Sequence, residues 1–229
     1  MTASEKAYYS VHPKFHMAVD CIIFGFEDGE LSLLLLKRNF EPAKGQWSLM
    51  GGFVEEGESV DDAARRIVAQ LTGLTDIYMR QVKTYGNVDR DPGERVISSA
   101  YYALVDIKKY DHTLVQAHNA FWVKLPEVPH LIFDHDSMVA DALRFMQYQA
   151  SIKPVGMNLL PEEFTLTQLQ TLYEAIFRES MDKRNFRKKI ASMDYIEKTG
   201  KIDKTLSRKG AALYRFNPER FKENGQFKI

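Results

Sequence analysis

Residues 51–74, GGFVEEGESVDDAARRIVAQLTGL, place a glycine turn and three glutamates directly before a predicted helix. Positions 67, 70 and 71 of that helix are spaced i, i+3 and i+4, so their side chains lie on one helical face. Carboxylates at these three positions would supply the oxygen ligands that a divalent cation prefers. The chain instead has Ile67, Gln70 and Leu71, of which only the amide of Gln70 contains an oxygen. The spacing therefore fits a metal-binding helix, but the residue types do not.

This segment resembles the signature of the Nudix diphosphate hydrolases. The matching residues are Gly52, Glu58, Arg66, Val68, Gly73 and Leu74. In that family, acids at the three altered positions hold Mg²⁺ beside a diphosphate, where the metal polarises phosphoryl oxygens and activates water. We therefore predict that the domain is not an enzyme and has no catalytic residue, metal site or cofactor. Glu55, Glu56 and Glu58 are interpreted as solvated charge at the helix start; the alternative is an active hydrolase that uses them as displaced ligands.

A cleft without these acids can still bind a small molecule. An aromatic residue precedes the glycines, and the polar loop DRDPGER follows at residues 89–95. An aromatic face with carboxylate and guanidinium partners is the mixture that a sugar requires. The predicted ligand-binding residues are Trp47, Asp89, Arg90, Asp91 and Arg95. The alternatives are that Trp47 belongs to the core and that the loop is an exposed hairpin turn.

Apolar periodicity and turn residues predict the elements that position these side chains. The predicted strands cover residues 16–26, 31–39, 47–54, 78–88, 96–107 and 119–129. Ser59 and Gly73 mark the two ends of one helix, and a second helix spans residues 135–151. Strands that alternate with two helices indicate an α/β sandwich. We assign residues 1–152 to a Nudix-like effector-binding domain.

A segment with two prolines and a glycine, at residues 153–161, separates this part from a different pattern of helix, helix and hairpin. Helices at 164–177 and 181–193, followed by two strands within 195–216, predict a winged helix-turn-helix, assigned to residues 153–229. The fold class is therefore α+β, a Nudix-like α/β/α sandwich followed by a C-terminal winged helix-turn-helix domain.

Ten Lys or Arg residues lie between Lys183 and Lys209, on the second helix and the wing. Such residues neutralise DNA phosphates, and the second helix of this motif enters the major groove. The predicted DNA-binding residues are Thr165, Thr167, Gln168, Lys183, Arg184, Asn185, Arg187, Lys188, Lys204, Ser207, Arg208 and Lys209. The alternative is a charged helical hairpin that packs on the first domain or docks on an acidic partner protein.

Charge is distributed unevenly along this chain of 229 residues, whose net charge is zero. Residues 1–150 carry 15 basic and 21 acidic side chains, and residues 151–229 carry 16 and 10, which favours a polyanion as partner of the second part. The single cysteine, Cys21, lies in an apolar run and is predicted to be a core residue. No apolar run approaches the ~18 residues of a membrane span. We expect a cytoplasmic protein that does not bind membranes.

The order of the two domains closely resembles the Nudix-related bacterial transcriptional regulators, which include regulators of NAD metabolism and of sugar utilisation. The arabinose-responsive members resemble this sequence along its full length. That resemblance implies a homodimer that represses sugar-utilisation genes, binds double-stranded operator DNA at an inverted repeat and is released by L-arabinose. An ADP-ribose-sensing regulator of NAD metabolism is the nearest alternative.

Overall fold

The computed structural model describes residues 8–75, 77–109, 112–205 and 209–224. Its strands are β1 His16–Glu27, β2 Glu30–Lys37, β3 Trp47–Ser48, β4 Met50–Phe53, β5 Tyr78–Tyr85, β6 Val96–Asp106, β7 Ala120–Lys124, β8 Phe164–Thr165, β9 Ile196–Asp203 and β10 Ala211–Phe216. Its helices are α1 Val60–Thr72, α2 His112–Ala117, α3 His135–Ile152, α4 Leu166–Phe177, α5 Lys183–Ala191 and α6 Pro218–Asn224. Strands β1–β7 form one sheet and β8–β10 a second. The predicted fold class, a Nudix domain followed by a winged helix domain, is confirmed.

Strand β1 organises the first sheet. It pairs in parallel with β6, from His16 opposite Val96 onward, and antiparallel with β2 and β4 along its other edge. The pairing with β4 sets Gly51 opposite Asp20. Since parallel strands start at the same edge of a sheet, this pairing gathers the start of β1, the glycines of β4 and the loop before β6 at one end of the domain.

Strand β1 contributes to two hydrophobic cores, because successive side chains of a strand point to opposite faces of the sheet. Val19, Cys21 and Ile23 pack on the side of α1, and Ile22 and Phe24 pack on the side of α3. Cys21 is fully buried, as predicted for a core residue, and burial raises the pKa of its thiol. A sheet covered on both faces explains why the strand is apolar at nearly every position.

The ends of α1 are as predicted. Ser59 caps the helix, since its hydroxyl accepts a hydrogen bond from the Asp62 backbone N–H. Gly73 ends it with a φ of 74°, a left-handed conformation that glycine adopts without strain. The helix buries Ala63, Ala64, Ile67 and Val68 against the sheet.

The winged helix domain packs on the α3 side of the first sheet and shares its core. Leu169, Leu172 and Ile176 of α4 are fully buried in the same cluster as residues of β1 and α3. The side-chain amide of Gln147 on α3 donates to the Ile176 carbonyl oxygen at 3.0 Å. Helix α3 therefore connects the first sheet directly to α4.

Several element boundaries differ from the sequence-based prediction. Strand β2 ends at Lys37, because the chain turns there and Arg38 Nε donates to the Pro42 carbonyl oxygen at 2.7 Å. Strand β7 ends at Lys124, where a 3-10 turn with Pro126 follows. Helices α2 and α6 were not predicted, since each is too short to show helical periodicity. Among helices in the described ranges, none is both long and apolar enough to cross a membrane.

Candidate functional site

A cleft of about 460 Å³ opens at the end of the first sheet where β1, β4 and the loop before β6 meet. Its size is within the usual range of small-molecule sites, ~300–1,000 Å³. The polar residues that line it are Asp20, Arg38, Glu41, Ser48, Arg90, Asp91 and His135, and the aromatic ones are Phe40, Phe53 and Phe133. An open cleft with a few convergent charged groups fits a polar metabolite.

The floor of this cleft is a buried charged network around Asp20. Arg90, whose side chain is 3% exposed, donates from Nη2 to Asp20 Oδ2 at 3.4 Å. It also binds both carboxylate oxygens of Asp134, at 3.0 and 2.9 Å. Ser98 Oγ donates to Asp20 Oδ2 at 2.6 Å. Because buried charges persist only when they are paired, this network holds the Asp20 carboxylate in a fixed position.

His135, the first residue of α3, lies beside Asp20. The Leu49 backbone N–H donates to His135 Nδ1 at 3.1 Å, so the proton of the neutral ring is on Nε2. Burial lowers the pKa of His135, although the carboxylates of Asp20 and Asp134 act in the opposite direction. The ring is therefore neutral at pH 7, and its Nε2 nitrogen lies 3.6 Å from Asp20 Oδ1.

The mouth of the cleft combines a cation with exposed aromatic rings. The guanidinium of Arg38 stacks on the ring of Phe40, 4.1 Å from its centroid. Phe40 and Phe53 are 50% and 58% exposed. Guanidinium groups bind phosphates well, and exposed rings offer stacking faces for a planar base.

The predicted ligand-binding residues are only partly brought together. Arg90 and Asp91 line the cleft, and Asp89 lines an adjacent cavity of about 580 Å³ that shares Arg90 with it. Trp47 is half-buried and packs edge-on against Phe121, at 5.7 Å between centroids, among hydrophobic residues next to the core.

Arg95 is engaged elsewhere. It donates to the carbonyl oxygens of Asn87 and Gly86 at 2.9 and 2.8 Å, and so ties the two ends of its loop together. Among the described residues that line the two cavities, neither Trp47 nor Arg95 is present.

Several residues of the cleft were not predicted, among them Asp20, Arg38 and His135 and the rings of Phe40 and Phe53. Asp20 could have been found, because a carboxylate inside the apolar run AVDCIIFGF must be paired when the strand is buried. Arg38 and His135 follow the ends of a strand and a loop, where side-chain direction depends on the tertiary fold.

The altered helix face carries no cluster of oxygen ligands. Ile67 is 7% exposed and packs in the core, and Gln70 is exposed. Arg66 binds both carboxylate oxygens of Glu58, at 3.0 and 2.6 Å, and this pairing lowers the pKa of Glu58 to about 2. Arg66 also lies 3.4 Å from a carboxylate oxygen of Glu55. In the part of the chain that is described, no group of three or more His, Cys, Asp or Glu side chains could hold a metal.

Helix α5 presents a basic surface. Asp182 caps it, accepting a hydrogen bond from the Asn185 backbone N–H at 2.7 Å. Phe186 and Ile190 are buried. The side chains that remain exposed are Lys183, Arg184, Asn185, Arg187, Lys188 and Lys189. Within the described residues, none of these cations forms an ion pair, so the surface keeps its full positive charge for a polyanion.

The start of α4 differs in detail from the prediction. Thr165 is buried, and its hydroxyl accepts from the Gln168 backbone N–H at 3.2 Å while the Gln168 side chain accepts from the Thr165 N–H at 2.8 Å. This reciprocal cap occupies Thr165, whereas Thr167 is exposed. In the wing, Lys204 and Lys209 are exposed, and Ser207 and Arg208 lie outside the described residues.

Comparison with known proteins identifies both halves. The NUDIX domain family matches residues 14–145, and the NrtR DNA-binding winged helix domain family matches residues 156–216. The ADPR responsive transcriptional repressor NtrR of Acinetobacter baylyi is 32% identical over 223 residues, which are 93% of this chain and 89% of that protein. The chain belongs to the Nudix-related transcriptional regulators.

Solved structures of this family have the same architecture. Shewanella oneidensis NrtR complexed with a 27mer DNA superposes on this structure with a TM-score of 0.78 and is 28% identical in sequence. The match covers 90% of this chain and 95% of the NrtR chain. The NUDIX domain of the same protein complexed with ADP ribose superposes with a TM-score of 0.55 and is 28% identical in sequence. The match covers 63% of this chain and 99% of that domain's chain.

These relatives correct one part of the sequence-based interpretation. The expectation of an arabinose-responsive regulator of carbohydrate metabolism is wrong, since the regulators that match are responsive to or complexed with ADP-ribose. No motif of the sequence had distinguished the two effectors, because both carry hydroxyl groups that carboxylate and guanidinium side chains bind.

Proposed function

We propose that this protein is an ADP-ribose-responsive transcriptional repressor of NAD metabolism. One observation carries the proposal: the 32% identity to an ADPR responsive repressor extends over 93% of the chain and therefore over both domains. The cleft is consistent with such an effector. Phe40 and Phe53 offer faces for the adenine, and Arg38 offers a cation for the diphosphate.

The effector persists after binding, because the domain does not hydrolyse it. Ile67 and Leu71 provide no metal-binding oxygen, and Gln70 provides only a neutral amide. The carboxylate of Glu58 is already paired with Arg66. Without Mg²⁺ bound at this helix, neither the phosphoryl oxygens nor an attacking water would be activated.

DNA binding is assigned to α5 and the wing. Arg184 and Asn185 lie in the first turn of α5, where the recognition helix of this motif reaches base edges, and both residue types can make bidentate contacts with a base. Arg187 and Lys188, with Lys204 and Lys209 of the wing, would contact phosphates. A homodimer would place two such helices in half-sites one helical turn apart or a multiple of it, ~34 Å per turn.

Helix α3 would transmit the effector signal. Asp134, directly before the helix, binds Arg90 at the floor of the cleft, and His135 at its start lines the cleft. Gln147, in its later part, donates to the Ile176 carbonyl oxygen of α4. A shift of α3 on effector binding would move α4 and with it the recognition helix. By thermodynamic linkage, operator DNA must then weaken effector binding by the same factor.

Fluorescence anisotropy of labelled promoter duplexes from NAD-metabolism genes tests this function. The protein should bind one or more of them in preference to a scrambled duplex, with an affinity that falls steeply with salt. ADP-ribose should release the DNA, and AMP at equal concentration should not. Binding that ADP-ribose leaves unchanged would exclude the proposed effector, and equal affinity for scrambled DNA would exclude an operator-specific regulator.

A further inference from the structure

In the described part of the chain, hydrogen bonds reach only one of the two carboxylate oxygens of Asp20. Oδ2 accepts from Ser98 Oγ at 2.6 Å and from Arg90 Nη2 at 3.4 Å. Among the residues that the structure describes, no donor makes a hydrogen bond to Oδ1. The Asp20 side chain is only 11% exposed and lines the cleft. A ligand in the cleft can therefore donate a hydrogen bond to Oδ1.

The structure keeps the space around Oδ1 free. A Cβ atom at position 51 would collide with Oδ1 and would lie 2.8 Å from the Val19 carbonyl oxygen, so glycine is required opposite Asp20. On the other side is His135 Nε2, at 3.6 Å from Oδ1, too far for a hydrogen bond between them. A fixed acceptor and a fixed donor thus face the cleft side by side.

This pair matches the chemistry of a sugar rather than that of a phosphate. One hydroxyl group can accept from His135 Nε2–H and donate to Asp20 Oδ1, and a neighbouring hydroxyl can donate to the same oxygen. A phosphate would be repelled at this depth, since Asp20 is itself a buried carboxylate and Asp91 adds a second one to the cleft. The cation at the mouth, Arg38, is the better position for a diphosphate.

We propose that Asp20 and His135 recognise the vicinal hydroxyls of the terminal ribose of the effector. The assignment rests on the proposed ADP-ribose response and adds the basis of its specificity. ADP has the same adenine and diphosphate but lacks the terminal ribose, so it would leave the Asp20–His135 pair unfilled. Binding sites that contain buried polar groups discriminate strongly against ligands that leave those groups unpaired.

Calorimetric titration of ADP-ribose and ADP tests this assignment on the full-length protein. Wild type should bind ADP-ribose at least about tenfold more tightly than ADP, as expected for hydrogen bonds to a charged group. In His135→Asn the amide oxygen can accept from the Leu49 N–H, but the shorter side chain has no N–H at the position of His135 Nε2. Asp20→Asn removes the charge. Both should bring the affinity ratio towards one and leave ADP affinity nearly unchanged.

His130→Asn and Asp28→Asn, at exposed positions outside the cleft, are the matched controls and should retain the wild-type ratio. DNA binding of each variant verifies that it is folded; should Asp20→Asn fail to fold, His135→Asn decides alone. A wild-type ratio in folded His135→Asn, or equal weakening of both ligands, would overturn the assignment while the proposed function stands. A wild type that binds neither ligand would overturn the proposed function, and the assignment with it.

Discussion

Ile67 fills the space beside Gly52: a Cβ atom at position 52 would lie 2.6 Å from Ile67 Cδ1. This contact joins α1 to β4 at the position where the Nudix signature has its first metal-binding acid. The apolar side chain both removes a metal ligand and closes the gap between helix and sheet. Ile67 therefore places hydrophobic core at a position where the Nudix signature has a carboxylate.

The contact predicts a specific coupling between these two residues. Gly52→Ala should lower the free energy of unfolding by roughly 1–3 kcal/mol, because Ile67 must move out of its place. Ile67→Val removes the Cδ1 atom, and the next atom, Cγ1, lies 3.6 Å from the added Cβ. In the Ile67→Val protein, Gly52→Ala should therefore lower the free energy of unfolding by clearly less. Urea denaturation of the four proteins measures the coupling, and additive effects would show that the contact does not limit position 52.

The carboxylate of Asp141 predicts a dependence of stability on pH. Lys83 and Arg144 pair with it and the Tyr85 hydroxyl donates to it at 2.8 Å, so that α3 is joined to β5. These contacts, that with Lys83 foremost, hold the pKa of Asp141 at about 2, below its ordinary 3.8. A depressed carboxylate pKa contributes stability that is present above the unfolded pKa and is lost as pH falls through the folded pKa.

Wild type should therefore lose stability more steeply than Asp141→Asn as pH falls from about 4 to 2. At pH 7 the two proteins should differ by roughly 1–2 kcal/mol, a value reduced by solvent screening of Lys83. Urea denaturation across this pH series provides the measurement. Parallel pH profiles for the two proteins would assign the acid sensitivity to other carboxylates.

The basic face of α5 predicts two kinds of DNA-binding defect. Arg184→Ala should weaken operator binding by roughly 1–3 kcal/mol and relax base preference at one position. Lys188→Ala should weaken operator and scrambled DNA alike and reduce the salt dependence by about one phosphate contact. Lys14→Ala, an exposed change before β1, is the control. Anisotropy titrations at several salt concentrations distinguish the base-specific defect from the phosphate-contact defect. Identical defects in the two variants would contradict the roles given to Arg184 and Lys188.

The hydrogen bond from Gln147 to the Ile176 carbonyl predicts a defect in communication. Gln147→Leu should still bind operator DNA and ADP-ribose separately, but ADP-ribose should release less DNA from it. The coupling energy between effector and DNA is typically ~1–3 kcal/mol. Losing the contact between α3 and α4 should remove a measurable part of that energy. The readout is the ratio of operator affinities with and without effector, with Gln149→Leu on the same helix as control. An unchanged ratio would show that α3 does not transmit the signal through this bond.

The sequence predicted the elements whose signals are local. Ser59 and Gly73 mark helix ends because their own side chain or backbone satisfies the cap, and the apolar periodicity of α3 and α4 follows from burial of one face. Short elements were missed, because α2 and α6 each depend on tertiary contacts more than on a repeating pattern.

The site was less predictable than the fold. Arg90 and Asp91 could be selected by residue type, but the convergence of Asp20 and His135 depends on pairing between β1 and β4 and on the start of α3. These residues are far apart in the chain, and no spacing rule connects them. The expected effector, L-arabinose, rested on a family resemblance and is wrong, and the residue types alone do not fix which groups meet in the cleft.

The fate of the effector tests the central claim most directly. Protein bound to labelled operator DNA is mixed with ADP-ribose and Mg²⁺, DNA release is followed by anisotropy, and the ligand is then recovered and separated by chromatography. We expect full release of the DNA with the ADP-ribose recovered intact. Conversion of the ADP-ribose to AMP and ribose phosphate at an enzymatic rate, or DNA that stays bound at saturating effector, would contradict the account.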